Sequence, residues 1–188
     1  MPWAEAALPE AVREAVASGW LNTGDRVLDI GCGDGTIAAF LAEAGCVVTA
    51  IDFAEGAVAR TRERCRGYGE RVHAELCDVT SGMPSDAHFD AVIDVGCFQS
   101  LVPRLAARYG RNVATACRPG ARMLLVLPLA VPWRAAPQPG YRKELETNLA
   151  RALTPAFTVT DMRETRISMV GARGVRGGSA LVAKLVRP

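Results

Sequence analysis

Short apolar runs recur along the 188-residue chain at 26–30, 46–51, 71–77, 89–93 and 121–127, each of strand length. The stretches between them read differently. Residues 36–44, 55–66, 104–116 and 143–153 mix apolar and charged positions as helices do, and 5–18 predicts a leading helix ended by Gly19. Strands alternating with helices imply βαβ units and a mostly parallel sheet. The last two apolar segments, 157–168 and 179–186, read as the arms of an antiparallel hairpin joined by the glycine-rich 171–178. The expected fold is therefore α/β: one doubly wound domain over 1–188, its seven strands mostly parallel, with an antiparallel C-terminal hairpin.

Breaker residues mark the same boundaries. Gly45 stands at a C-cap position, and Pro103 falls in a first helical turn, where proline is tolerated. Arg118-Pro119-Gly120 reads as a stop between helix and strand. Residues 128–140 hold four prolines (128, 132, 137 and 139) and predict a loop. No internal repeat and no interdomain linker is present in the sequence.

Charge and composition narrow the function. The chain carries 22 Lys+Arg against 20 Asp+Glu, with 49% apolar residues. Such a balance excludes a disordered chain and provides no overall attraction for nucleic acid or acidic membranes. The amino end lacks a basic n-region and carries Glu5 and Glu10, so it does not read as a signal peptide. The longest apolar stretch, 123–133, is broken by Pro128 and Pro132 and falls short of the ~20 residues of a membrane-spanning helix. Six cysteines with wide gaps and no C-x-x-C pair point to reduced thiols, no metal framework and a cytoplasmic setting.

The most informative segment is Val27-Leu28-Asp29-Ile30-Gly31-Cys32-Gly33-Asp34-Gly35. Glycines directly after a buried strand let the backbone turn sharply and approach a ligand. A dinucleotide would call for G-x-G-x-x-G, but Thr36 stands at the third glycine position. Asp29 would also repel a pyrophosphate, whereas a carboxylate there suits an ammonium or sulfonium charge. The Asp29-x-Gly31-x-Gly33-x-Gly35 pattern resembles the first motif of the class I S-adenosylmethionine-dependent methyltransferases, which have a Rossmann-like fold.

The resemblance implies roles for further positions in the same order along the chain. Asp52, ending the second strand, would grip the ribose hydroxyls, and Phe53 would pack on the adenine. Asp78 would accept from the adenine amino group while Val79 meets the ring edge. The turn residues Gly31, Cys32 and Gly33 and the strand-end residues Val95 and Gly96 complete the expected cofactor contacts. Phe89-Asp90-Ala91-Val92-Ile93-Asp94-Val95-Gly96-Cys97-Phe98-Gln99 resembles the family's fourth motif, where the methyl group faces the acceptor. Its form is loosely similar to the small bacterial enzymes of the thiopurine and tellurite-resistance type. Those often carry His where Gln99 stands, and an early Trp, here Trp3, covers the cofactor pocket.

Methyl transfer from a sulfonium requires alignment, exclusion of water and, for some acceptors, removal of a proton. A base is hard to find. His73 and His88 lie away from the expected methyl position and read as structural histidines. Gln99 hydrogen-bonds but takes no proton at neutral pH. Asp94 is either a proton acceptor or a holder of backbone amides. Substrate contacts are expected from Phe98 and Gln99, and from Trp133, Arg134 and Tyr141 in a lid spanning 128–153; residues 1–20 would cap the pocket. Arginines 60, 62, 64, 66 and 71 read as a solvated helix face.

The expected activity is S-adenosylmethionine-dependent methylation of a small thiol, hydroxyl or amine, yielding S-adenosylhomocysteine, by a monomer or homodimer with no nucleic-acid, membrane or metal partner. Methylation of RNA or protein, and cofactor binding without methyl transfer, remain as alternative readings.

Overall fold

Pro9 determines where the first helix starts. In the computed structural model, which describes residues 8–84, 88–129, 140–171 and 174–188 (with 169–171 and 174–176 by backbone alone), Leu8 and Pro9 lie outside the helix, Pro9 in an extended conformation, and α1 spans Glu10–Ala17. The expected start at residue 5 is thus too early at Leu8 and Pro9. A residue before proline is pushed out of the helical region.

The remaining elements follow the predicted alternation: β1 (Arg26–Ile30), α2 (Thr36–Glu43), β2 (Val47–Asp52), α3 (Glu55–Cys65), β3 (Val72–Leu76), β4 (Phe89–Val95), α4 (Pro103–Ala116), β5 (Cys117–Pro128), α5 (Tyr141–Leu153), β6 (Thr158–Gly171) and β7 (Gly174–Val186). The seven strands lie in the order β3-β2-β1-β4-β5-β7-β6. The first five run parallel, while β7 is antiparallel to both β5 and β6.

Alternation along the central strands divides the core. Leu28, Ile30, Val92, Met123 and Leu125 pack beneath α4 and α5, where Tyr109, Val113, Leu145 and Leu149 are buried. Their neighbours Val27, Ala91, Ile93, Leu124 and Val126 face α1, α2 and α3 and pack with Val12, Leu41 and Val58. A sheet covered on both faces explains why these strands read as continuous apolar runs.

Two boundaries differ from expectation. β5 begins at Cys117, paired with Phe89, rather than after Gly120. Pro119 and Gly120 are absorbed in a register shift between Phe89 and Ala91, with Gly120 at φ 80°. The closing hairpin is also longer than predicted. β5 pairs with β7 only as far as Pro128↔Ala180, but β6 and β7 stay paired to Gly171↔Gly174. Glycines in 171–178 lack side chains but keep their ladder hydrogen bonds, so most of the expected loop becomes strand. The arm projects past the edge where β1 and β4 end.

Candidate functional site

Sheet order reverses between β1 and β4, and crevices at such switch points are where open α/β sheets bind ligands. Gly31, at φ 75°, follows β1, and the Gly31 and Cys32 amides donate to Ile51 O at 2.8 and 3.0 Å, tying the turn to β2. A Cβ on Gly31 would lie 3.1 Å from Cys97 Cβ, so this turn abuts the loop after β4. At Gly35, also left-handed, an added Cβ would come within 2.9 Å of Thr61 Cα on α3. Thr61 is fully buried and its hydroxyl contacts Cys32 Sγ at 3.3 Å.

Asp29 lies on β1, one residue from the end of the strand, in register with Ala50 on β2 and Ile93 on β4. It is 1% exposed, and neither carboxylate oxygen has a hydrogen-bond partner among the described residues. Burial, reinforced by the charges of Asp94, Asp52 and Asp34, pushes its pKa to about 7, with the Ala38 backbone pulling the other way. An orphaned carboxylate in such a place is costly unless a cation arrives to pair with it.

Asp52 ends β2 and is tied by its backbone neighbours. Its Oδ2 accepts from Gly33 N at 3.1 Å and its Oδ1 from Ala54 N at 2.9 Å. These bonds fix the carboxylate while leaving each oxygen a lone-pair direction. Phe53 beside it is 80% exposed, an unusual position for a large aromatic ring that no core residue covers. Asp78 is held by Thr80 N and Oγ1, both at 2.8 Å, and by Ser81 Oγ at 2.9 Å. The Thr80 hydroxyl and amide hold its pKa below the ordinary carboxylate value. Val79 is buried, and its carbonyl accepts from Asn112 Nδ2 at 2.8 Å. A carboxylate awaiting a cation, a second carboxylate at the end of β2 and an uncovered aromatic ring together fit a cationic amino-acid nucleoside.

The loop after β4 is organised by Asp94, which is fully buried. Its Oδ1 accepts from Cys97 N at 2.9 Å, and its Oδ2 accepts from Phe98 N at 3.1 Å and from the Tyr109 hydroxyl at 2.7 Å. Burial raises its pKa to about 6 against these donors. Of the two roles expected for Asp94, this geometry describes the holder of backbone amides. Val95 and Gly96 are partly exposed at the strand end, Gly96 at φ 89°. Gln99 Nε2 donates to Gly96 O at 3.1 Å, which orients the amide, and Gln99 Oε1 is buried without a partner.

Other expected contacts are placed differently. Phe98, expected on the acceptor side, is 1% exposed in the core and meets Tyr109 edge-on at 5.3 Å between ring centroids. Tyr141 opens α5 and packs partly buried against the same core. Trp3, Trp133 and Arg134 lie outside the described residues. His73 is exposed, with its Nε2 3.2 Å from Glu75, and His88 is exposed as well. The α3 arginines are more than a solvated face: Arg64 Nε donates to Asp34 O at 2.7 Å and its Nη2 to Asp34 Oδ2 at 2.8 Å, clamping the glycine turn. Among the described residues no group of His, Cys, Asp and Glu is arranged to hold a metal ion, and no helix is long and apolar enough to cross a membrane.

Tyr109, Asn112, Thr61 and Arg64 escape the sequence reading. Only Tyr109 carried a signal: a tyrosine in the apolar stripe of a helix needs a buried partner for its hydroxyl. The other three depend on what the fold brings opposite them.

Known proteins resemble this chain in sequence and fold. A profile described as a methyltransferase domain matches residues 27–120, half of the chain. The 2-heptyl-1-hydroxyquinolin-4(1H)-one methyltransferase of Mycobacteroides abscessus is 27% identical over 191 aligned residues, covering 97% of this chain and 80% of that protein. The protein-L-isoaspartate O-methyltransferase of Methylorubrum populi is 36% identical over 111 residues, 57% of this chain and 52% of that one. Among solved structures, the 1,6-didemethyltoxoflavin-N1-methyltransferase of Burkholderia thailandensis, with S-adenosylhomocysteine bound, superposes at TM-score 0.68 and 25% identity, covering 94% of this chain and 78% of its own. The finer likeness to thiopurine- and tellurite-resistance-type enzymes is not confirmed by these relatives. Sequence profile, relatives and the cation-seeking turn converge: the chain belongs to the methyltransferase domain family and is a class I enzyme with S-adenosylmethionine as its cofactor.

Proposed function

We propose that this domain methylates a compact small molecule at an easily ionised oxygen, sulfur or nitrogen. The carrying observation is the contrast between two buried polar groups, one on β1 and one after β4. One is the buried, unpartnered carboxylate of Asp29, suited to a cationic cofactor; the other is the amide of Gln99, set where a base would otherwise be sought. S-adenosylmethionine supplies a methyl group on a positively charged sulfur, already activated for displacement. Asp29 neutralises the ammonium group, Asp52 accepts from the ribose hydroxyls, and Phe53 covers the adenine face. Asp78 and Val79 meet the adenine edge; Gly31, Cys32, Gly33, Val95 and Gly96 let the backbone come close.

On the acceptor side Gln99 Oε1 receives a hydrogen bond from an N–H or O–H of the substrate, with Tyr141 at the start of α5 contributing to the wall. Gln99 takes no proton at neutral pH, which favours a nucleophile that ionises readily by itself, as an acidic hydroxyl or thiol does. Two relatives support a compact acceptor. The one whose alignment covers 97% of this chain is named for a hydroxyquinolinone, and the Burkholderia enzyme is named for 1,6-didemethyltoxoflavin. The protein-methylating relative aligns with only 57% of the chain. We infer a monomer or homodimer acting in the cytoplasm without nucleic acid.

The test is S-adenosylhomocysteine release with N-hydroxy heterocycles, phenols, aryl thiols and amines, comparing wild type with Gln99→Ala. Turnover should favour acceptors whose nucleophilic atom carries a free lone pair at neutral pH (thiolates, acidic hydroxylates, weakly basic amines), and Gln99→Ala should raise the acceptor KM while leaving cofactor affinity intact. Absence of product with every acceptor, or equal loss of cofactor affinity in the variant, would overturn this reading.

A further inference from the structure

The segment after β3 is bound mainly to itself. Asp78 accepts from Thr80 and Ser81 through its side chain, and its carbonyl accepts from Ser81 N at 2.8 Å and Gly82 N at 3.1 Å. Cys77 Sγ contacts Gly82 O at 3.6 Å, within the same turn. Such a turn is well formed but needs an external anchor to hold its place against β2. Cys77 N, donating to Asp52 O at 2.9 Å, provides one. Asn112 provides another, its Nδ2 reaching across to Val79 O from a position 33 residues on.

The origin of that second anchor matters. Asn112 lies on α4 one turn after Tyr109, whose hydroxyl fixes Asp94 and, through it, the amides of Cys97 and Phe98. α4 is itself seated hard against α5: a Cβ on Gly110 would lie 1.9 Å from Ala152 O. One rigid helix therefore holds both the turn at 77–82 and the loop at 96–98. Arg108, on the same helix, adds a positive charge that favours the ionised form of Asp78.

We propose that Asn112 is a positioning residue for the adenine end of the cofactor. By holding the Val79 carbonyl, Asn112 sets the turn that presents Asp78 and Val79 to the purine. α4 thereby fixes the spacing between that turn and the acceptor loop. The inference rests on the assignment of S-adenosylmethionine as cofactor and deepens it at one end only.

Calorimetry with adenosine and with S-adenosylhomocysteine tests it, on wild type and on Asn112→Leu, which keeps a similar volume but loses the N–H donor without adding a charge. Loss of one hydrogen bond in the binding geometry should weaken both ligands by the same factor, about 3- to 10-fold. Asn112→Ala should show the same factor and serves if the leucine variant does not fold. Unchanged adenosine affinity in a folded variant would overturn the proposal, as would a defect confined to turnover. If wild type binds neither ligand, the cofactor assignment itself fails, an outcome distinct from wild type and variant binding alike.

Discussion

The Tyr109 hydroxyl donates to Asp94 Oδ2 at 2.7 Å, and both side chains are completely buried. The carboxylate bonded to it also receives the amides of the loop beneath the expected methyl position. Tyr109→Phe removes the one side-chain donor in this set, and hydrogen bonds to charged groups contribute about 2 kcal/mol. It also removes a donor that holds the Asp94 pKa down, so that pKa should move above about 6. Asp94 is raised in the folded state, so its contribution to stability is full below 3.8 and is lost as pH rises through the folded value. In the variant that loss extends to higher pH. Urea unfolding should show a larger deficit for Tyr109→Phe at pH 8 than at pH 5; equal deficits would contradict the role given to this pair.

Asp29 makes a prediction of the opposite sense for its own replacement. Its pKa of about 7 against 3.8 corresponds to a penalty on the order of 4 kcal/mol in the cofactor-free protein once pH exceeds 7. The contribution is intact below 3.8 and lost as pH rises through 7. Asp29→Asn should therefore melt higher than wild type at pH 8 without cofactor, with a smaller difference at pH 5. The same variant should lose S-adenosylhomocysteine affinity by roughly 100-fold, an uncompensated ion-pair loss of about 3 kcal/mol. A variant that is both less stable at pH 8 and unimpaired in binding would refute the assignment.

Protonation of Asp29 and capture of a cation compete for the same carboxylate. Affinity for S-adenosylhomocysteine should rise between pH 5 and pH 7 and level off above. At pH 6 binding should release about one proton, read from calorimetry in buffers of different ionisation enthalpy. Binding without proton release would place the ligand ammonium elsewhere.

Gly110 gives a prediction independent of the cofactor. An added Cβ would overlap Ala152 O at 1.9 Å, a contact with backbone that no side-chain rotation relieves. Gly110→Ala should force α4 from α5 and cost about 3 kcal/mol or more in thermal unfolding. An unchanged melting temperature would show that the two helices are not seated as described.

The cofactor half of the site is legible in the sequence because its chemistry is local. Asp29 and the glycines lie within one turn, and Asp52 and Asp78 follow in the order along the strand ends that the methyltransferase resemblance implies. The long-range contacts that hold both halves in place are less so. Tyr109 and Asp94 are 15 residues apart, Asn112 and Val79 33, and Arg64 and Asp34 30, so their partnerships exist only once α3 and α4 dock on the sheet. Phe98 looks like a substrate contact in the motif, yet its ring is drawn into the core by Tyr109. The hairpin arm is misread for a related reason: glycine content signals a loop, whereas pairing partners decide a strand.

The most direct measurement is calorimetric titration of the purified protein at pH 7.5 with S-adenosylhomocysteine and, separately, with NAD. The account predicts saturable heat and a raised melting temperature with the first and neither with the second. Heat with NAD and silence with S-adenosylhomocysteine would contradict it.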